Sequence, residues 1–190
     1  KPKQMKKKIF VLVLLIMYFT ITVIAQTDKG NWLLGGSAGF SSSKQGERKA
    51  TSINFSPNAG YFFINNLAGG ISFDLSNYKV KGSDGSTTDL SIGPFLRYYF
   101  LKLAQRAMLF GEGSFGFGSY KTTGTYGSTE KFTSWMLAAG PAFFLNEHTA
   151  LELALYYNSL KYKGDSDALG TIGFLVGFQI HLNCKKNKAK

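Results

Sequence analysis

The apolar run Gly170 to Leu182 (GTIGFLVGFQIHL) constrains the fold more than any other stretch of the chain. Taken two residues at a time, Ile172, Phe174, Val176, Phe178, Ile180 and Leu182 fall on one face. Thr171, Gly173, Gly177, Gln179 and His181 fall on the other, with a single Leu175 among them. Successive side chains of a β-strand point to opposite faces, so this is a strand with one wholly apolar side. Soluble proteins blunt an edge strand with charge or proline, and nothing here does so. Either a protein core or lipid must hide such a face.

The same alternation recurs along the chain. From Asn31 to Ser42, Trp32, Leu34, Ala38 and Phe40 alternate with small and polar residues, and from Ser52 to Phe63 the apolar set is Ile53, Phe55, Pro57, Ala59, Tyr61 and Phe63. Leu67 to Tyr78, Thr88 to Phe100, Ala107 to Tyr120, Phe132 to Leu145 and Leu151 to Asn158 keep this phase. With the last run they make eight strands. Polar stretches at 43–50, 79–88, 121–130 and 163–167 read as long loops. Asn65-Asn66, Leu101 to Arg106 and Asn146 to Thr149 read as short turns. Pro57, Pro94 and Pro141 interrupt three strands and argue against ordinary ladder pairing at those points.

The first residues belong to something else. Met5-Lys6-Lys7-Lys8, the apolar run Ile9 to Ile24 and the small residues up to Ala25 read as a cleavable secretory signal peptide. The run is shorter than the ~18 apolar residues of a spanning helix. Residues 1–25 are therefore expected to be signal peptide with its upstream residues, 26–184 the folded domain, and 185–190 a basic tail. Of the formal charge of +11, five lysines lie in that first segment and four in the tail, leaving +2 for the body. The basicity is a property of the ends, which excludes a nucleic-acid surface as the reason for it. The one cysteine, Cys184, cannot form an internal disulfide.

An eight-stranded soluble ligand barrel would also alternate, but it would crowd the large apolar side chains of every strand into a narrow interior. Turned inside out, the glycines, serines and alanines line a lumen that Phe95, Tyr99, Phe110, Met136, Phe144 and Tyr156 can plug. Trp32, Tyr61, Phe63, Tyr98, Phe100 and Phe143 then gather as an aromatic girdle at one interface with lipid. The expected fold is all-β, an eight-stranded antiparallel up-and-down transmembrane β-barrel. Closure leaves no unpaired edge in lipid.

The signal peptide, the eight amphipathic strands and the closing pattern of Gly177, Ile180 and Leu182 resemble the small outer-membrane β-barrel proteins of the OmpA transmembrane-domain type, over residues 26 to 184. That resemblance implies a multi-pass protein of the cell outer membrane with both termini periplasmic, and no cofactor. It implies recognition of Gly177, Ile180 and Leu182 by the barrel assembly machinery, although Leu182 stands where members end on an aromatic. It implies a structural, adhesive or narrow-channel role, and a monomer is expected.

Two candidate sites follow. The inward charges Asp74, Arg97, Glu112 and Glu152 are expected to form a paired lumen network, because a lone ion in a plugged lumen is expensive. Lys44, Arg48, Lys49, Lys79 and Lys81, with Lys121, Lys131, Lys161 and Lys163 further along, are expected to form a basic outer rim facing lipopolysaccharide phosphates. The function expected from this is structural or weakly adhesive. A narrow channel or a lateral port for small or hydrophobic solutes is the alternative. An outer-membrane lipid-modifying enzyme is a lesser one, since the two histidines, His148 and His181, both fall at the periplasmic end. No catalytic residue and no metal-ligand spacing is identified.

Overall fold

The computed structural model describes residues 27–45, 48–80, 85–123 and 127–183. The expected signal peptide, the basic tail with Cys184, and Lys81 lie outside these residues. Eight strands follow one another: β1 (Trp32–Gln45), β2 (Arg48–Ile64), β3 (Leu67–Val80), β4 (Ser86–Ala104), β5 (Ala107–Thr122), β6 (Ser128–Phe144), β7 (Thr149–Tyr162) and β8 (Leu169–Leu182). Each pairs antiparallel with the next, and β1 pairs with β8, so the sheet closes into a barrel. No helix among the described residues is long and apolar enough to cross a membrane.

The alternation in the sequence becomes the two sides of the wall. Along β4, Ser91, Gly93, Phe95, Arg97 and Tyr99 are buried, while Leu90, Ile92, Leu96, Tyr98 and Phe100 between them are exposed. On β8 the outward Phe174 is 85 % exposed and Ile172 71 %, whereas the inward Gln179 and His181 are buried. Large apolar residues exposed on every strand are incompatible with water and suited to lipid. Trp32 and Tyr61 meet edge to face at 5.4 Å and Tyr98 lies 6.4 Å from Phe100, forming the aromatic belt at the end where β1 begins and β8 ends. A second belt that the sequence reading did not identify lies toward the far end, where Phe115 meets Phe117 at 4.9 Å and Trp135 meets Tyr157 at 5.3 Å.

The prolines are accommodated by breaking one side of the ladder each. Pro57 is paired to β1 but skipped in the β2–β3 ladder, Pro94 is paired to β3 but skipped by β5, and Pro141 is paired to β5 but skipped by β7. Proline has no N–H, so one neighbouring strand loses its partner there. Glycine precedes two of them. A Cβ on Gly93 would strike the Phe115 carbonyl and one on Gly140 the Leu153 carbonyl, so these bends need a residue without a side chain.

Three of the four long loops expected from composition, at 43–50, 79–88 and 121–130, are a correction, while 163–167 does connect β7 to β8. β1 and β2 stay paired up to Gln45↔Arg48, β3 and β4 up to Lys79↔Ser86, and β5 and β6 up to Thr122↔Ser128. Polar side chains marked these stretches as loop, but strands that extend past the hydrocarbon need no apolar face. The Leu101–Arg106 turn likewise contracts to Gln105-Arg106, because β4 continues to Ala104 through two register shifts.

Candidate functional site

The inward residues of the terminal half of the barrel form a packed plug. Phe62 stacks on His181 at 5.7 Å, Tyr99 and Phe144 approach the same imidazole at 5.8 and 5.3 Å, and Phe110 lies 6.0 Å from Tyr99. Leu33, Phe62, Tyr99 and His181 are almost wholly buried. The segment before β1 covers this end: the Asn66 N–H donates to the Thr27 carbonyl at 2.7 Å, and the Phe62 N–H to the Asn31 carbonyl at 2.9 Å. The β6–β7 turn is tied down as well, since the His181 N–H donates to the His148 carbonyl at 2.6 Å.

Above the aromatic layer sits the ionic one. Arg97 and Glu112 are opposite each other across β4 and β5. Arg97 Nε donates to Glu112 Oε2 at 2.7 Å, and Nη2 lies 2.6 Å from the same oxygen. Arg97 Nη1 donates to Glu152 Oε2 at 2.9 Å and Oε1 at 3.0 Å, reaching β7 across the lumen. The Tyr99 hydroxyl donates to Glu152 Oε1 at 3.1 Å, and the Gln179 side chain hydrogen-bonds the same carboxylate. The guanidinium lies over the Phe110 ring, 4.8 Å from its centroid. Arg97 and Glu152 are 4 % and 3 % exposed. Such a buried charge persists only when each oxygen and N–H finds a partner, and one planar guanidinium between two carboxylates supplies most of them.

Asp74, expected in this network, stands apart from it. It pairs across β3–β4 with Ser91, well up β4 from Arg97, and its carboxylate accepts from Ser91 Oγ at 3.2 Å. Two cavities occupy the lumen there. One of about 70 Å³ is bounded by Arg97, Glu112 and Glu152 below and by Ser56, Ser72 and Asp74 above. The other, of about 230 Å³, continues past Ser91, Ser134, Asn158 and Asp89. Serine, asparagine and aspartate line both alongside Met136 and Leu175, so the far half keeps polar space open where the terminal half is packed.

The rim residues distribute differently. The backbone register sets Lys44 opposite Lys49 and Gln45 opposite Arg48 at the far end of β1 and β2, and Lys79 is exposed on β3 opposite Ser86. Glu130, grouped with the outer loops by its position in the sequence, instead belongs to β6 and hydrogen-bonds Tyr120. Gly177 faces the lumen beside Glu152, whereas Ile180 and Leu182 are exposed on the outer wall. Among the described residues no group of three or more His, Cys, Asp or Glu could hold a metal ion. The sequence reading placed Tyr99 in the plug but did not identify its hydrogen bond to Glu152, nor the roles of Gln179 and His181. Their inward phase was visible, but their partners come from β7, β2 and β6, which only the barrel brings together.

The family model for the outer membrane protein beta-barrel domain matches residues 11–181, beginning inside the expected signal peptide. No curated protein matches the sequence. Among solved structures, Neisserial surface protein A is 16 % identical with a TM-score of 0.59, covering 80 % of this chain and 97 % of that one. The outer membrane protein OprG from Pseudomonas aeruginosa is 15 % identical with a TM-score of 0.52, covering 84 % and 99 %. The attachment invasion locus protein Ail of Yersinia pestis is 17 % identical with a TM-score of 0.50, covering 81 % and 99 %. At such identities the likeness is one of fold.

Proposed function

Because the chain belongs to the outer membrane protein beta-barrel domain family and lies in the outer membrane as a multi-pass barrel, we propose that it is a non-conducting structural or weakly adhesive barrel that acts through its outer surface. The observation that carries this reading is the plug: the aromatic layer and the Arg97 ion pairs fill the terminal half of the lumen, so little chemistry is available inside. Outside are the apolar wall and the basic rim. With the termini periplasmic, Lys44, Arg48, Lys49, Lys79 and Lys81 meet the lipopolysaccharide leaflet, where each cation near anionic head groups contributes ~1 kcal/mol. The strand-end connections are short and contain no tryptophan, which favours weak contact over tight reception. Residues 1–25 serve as the export signal, and Gly177, Ile180 and Leu182 as the closing strand offered to the assembly machinery.

The test is lipopolysaccharide or cell binding by the purified barrel with those five residues changed to glutamine. Binding should be lost in the variant, and in the parent it should weaken as salt rises. Binding indifferent to both would remove the physical basis of the rim.

One observation supports a second reading, a lateral port for hydrophobic molecules. The β1–β8 ladder runs only from Trp32↔Leu182 to Ala38↔Val176, leaving Gly39–Gln45 and Leu169–Leu175 without cross-seam partners. Unpaired edges in hydrocarbon are costly, and a molecule passing between lumen and lipid would use such a gap. Cells carrying the protein would then take up a hydrophobic dye faster than cells without it; equal uptake would sink this reading.

A further inference from the structure

Three lysines beyond the far aromatic belt share one outward patch. Thr133 is opposite Lys161 in the β6–β7 ladder, and the Lys163 N–H donates to the Lys131 carbonyl at 2.8 Å, which sets Lys131 opposite Lys163. Like charges directly across a ladder repel, and among the described residues the ion pairs are those of Arg97; Asp165 and Asp167 follow Lys163 in the β7–β8 connection. Glu130, the nearest acid on β6, is on the other side of the wall with Tyr120, whose ring meets that of Tyr162 at 4.8 Å. At this patch the wall thus keeps Glu130 inside and these three cations outside. Phe117, Lys131, Thr133, Lys161, Lys163 and Gly164 line a groove of about 420 Å³. Phe117 is 59 % exposed, and Trp135 and Tyr157 continue the apolar surface down into the belt.

We propose that this groove binds a phosphate group of a phosphorylated glycolipid in the outer leaflet, with Lys131, Lys161 and Lys163 as its counter-charges. Charge complementarity selects an anion. The position selects a lipid, because the groove opens onto the lipid-facing wall and its apolar floor leads toward acyl chains. Three compact ammonium groups suit the tetrahedral charge of a phosphate, which they approach from several sides. The Thr133 hydroxyl adds a neutral donor. The inference rests on the reading that basic side chains of this barrel meet lipopolysaccharide, but it names a site on β5–β7 where that reading uses β1–β3.

The experiment uses the full barrel in nanodiscs, with diphosphorylated lipid A and its dephosphorylated form as probes. Parent, Lys131→Gln/Lys161→Gln/Lys163→Gln, and the glutamine variant of Lys44, Arg48, Lys49, Lys79 and Lys81 are compared. Unchanged heat-modifiable gel migration certifies folding. The groove variant should bind diphosphorylated lipid A on the order of a hundredfold more weakly than the parent. The parent should bind the dephosphorylated form no better than the groove variant does. A groove variant that binds like the parent, or a parent that does not distinguish the two lipids, overturns the inference. Loss in the rim variant alone overturns it while leaving the rim reading intact; loss in the groove variant alone upholds it and refutes the β1–β3 rim.

Discussion

The two halves of the lumen are built from the same alternating strands and yet by opposite rules. In the terminal half, inward positions carry Leu33, Phe62, Tyr99, Phe110, Phe144 and His181, and the charges are held in direct ion pairs. In the far half they mix Ser56, Ser72, Ser91, Ser134 and Asn158 with Phe132, Met136, Tyr156 and Leu175 around open cavities, and Asp74 has a hydroxyl for its partner. The seven ladders from β1–β2 to β7–β8 run through both halves alike, and only the β1–β8 seam stops partway. A barrel wall is satisfied by its own ladder, and the lumen is free to be filled or wet.

The largest test of this difference removes the ion at its centre. Arg97→Ala leaves Glu112 and Glu152 facing each other without a cation, and should destabilise folding into lipid vesicles by ~3–5 kcal/mol, read from urea titration. A loss below ~1 kcal/mol would mean that water already reaches this layer, and the comparison would fail. Next, Phe174→Arg on the outer wall should cost ~2–4 kcal/mol at mid-bilayer. On the lumen side of the same strand, a Cβ on Gly173 would come within 2.7 Å of the Tyr156 ring, so Gly173→Arg acts by crowding that ring and not by burying charge in lipid. Varying bilayer thickness should change the first penalty and leave the second alone. Tyr99→Phe, which takes a donor from Glu152, should cost ~1–3 kcal/mol. Smallest of all, Ser72→Ala in the far half should stay within ~0.5 kcal/mol of the parent, because its hydroxyl lies beside water-sized space.

The sequence made the wall legible and the plug only in part. Period-two alternation survives all eight strands because lipid punishes every misplaced outward residue, so the phase of Phe95, Arg97 and Tyr99 could be read directly. The Arg97–Glu112 pairing could be read too, because the two residues flank one tight turn. The reach of Arg97 to Glu152 could not, since it joins β4 to β7 across the lumen. Asp74 was assigned to the network by its charge alone, and strand register set it beside Ser91 instead. Outer strand ends were taken for loops because beyond the hydrocarbon nothing selects apolar residues. The half-paired β1–β8 seam leaves no mark on alternation, since each strand of it keeps its own phase.

Planar-bilayer recording tests the plug most directly. The purified barrel should insert with negligible steady conductance, because the layer from Phe62 to His181 and the ion pairs of Arg97 block the path from the far-half cavities to the terminal end. A stable, large conductance in the parent that changes when Arg97 or Glu112 is neutralised would contradict the account and make the protein a channel.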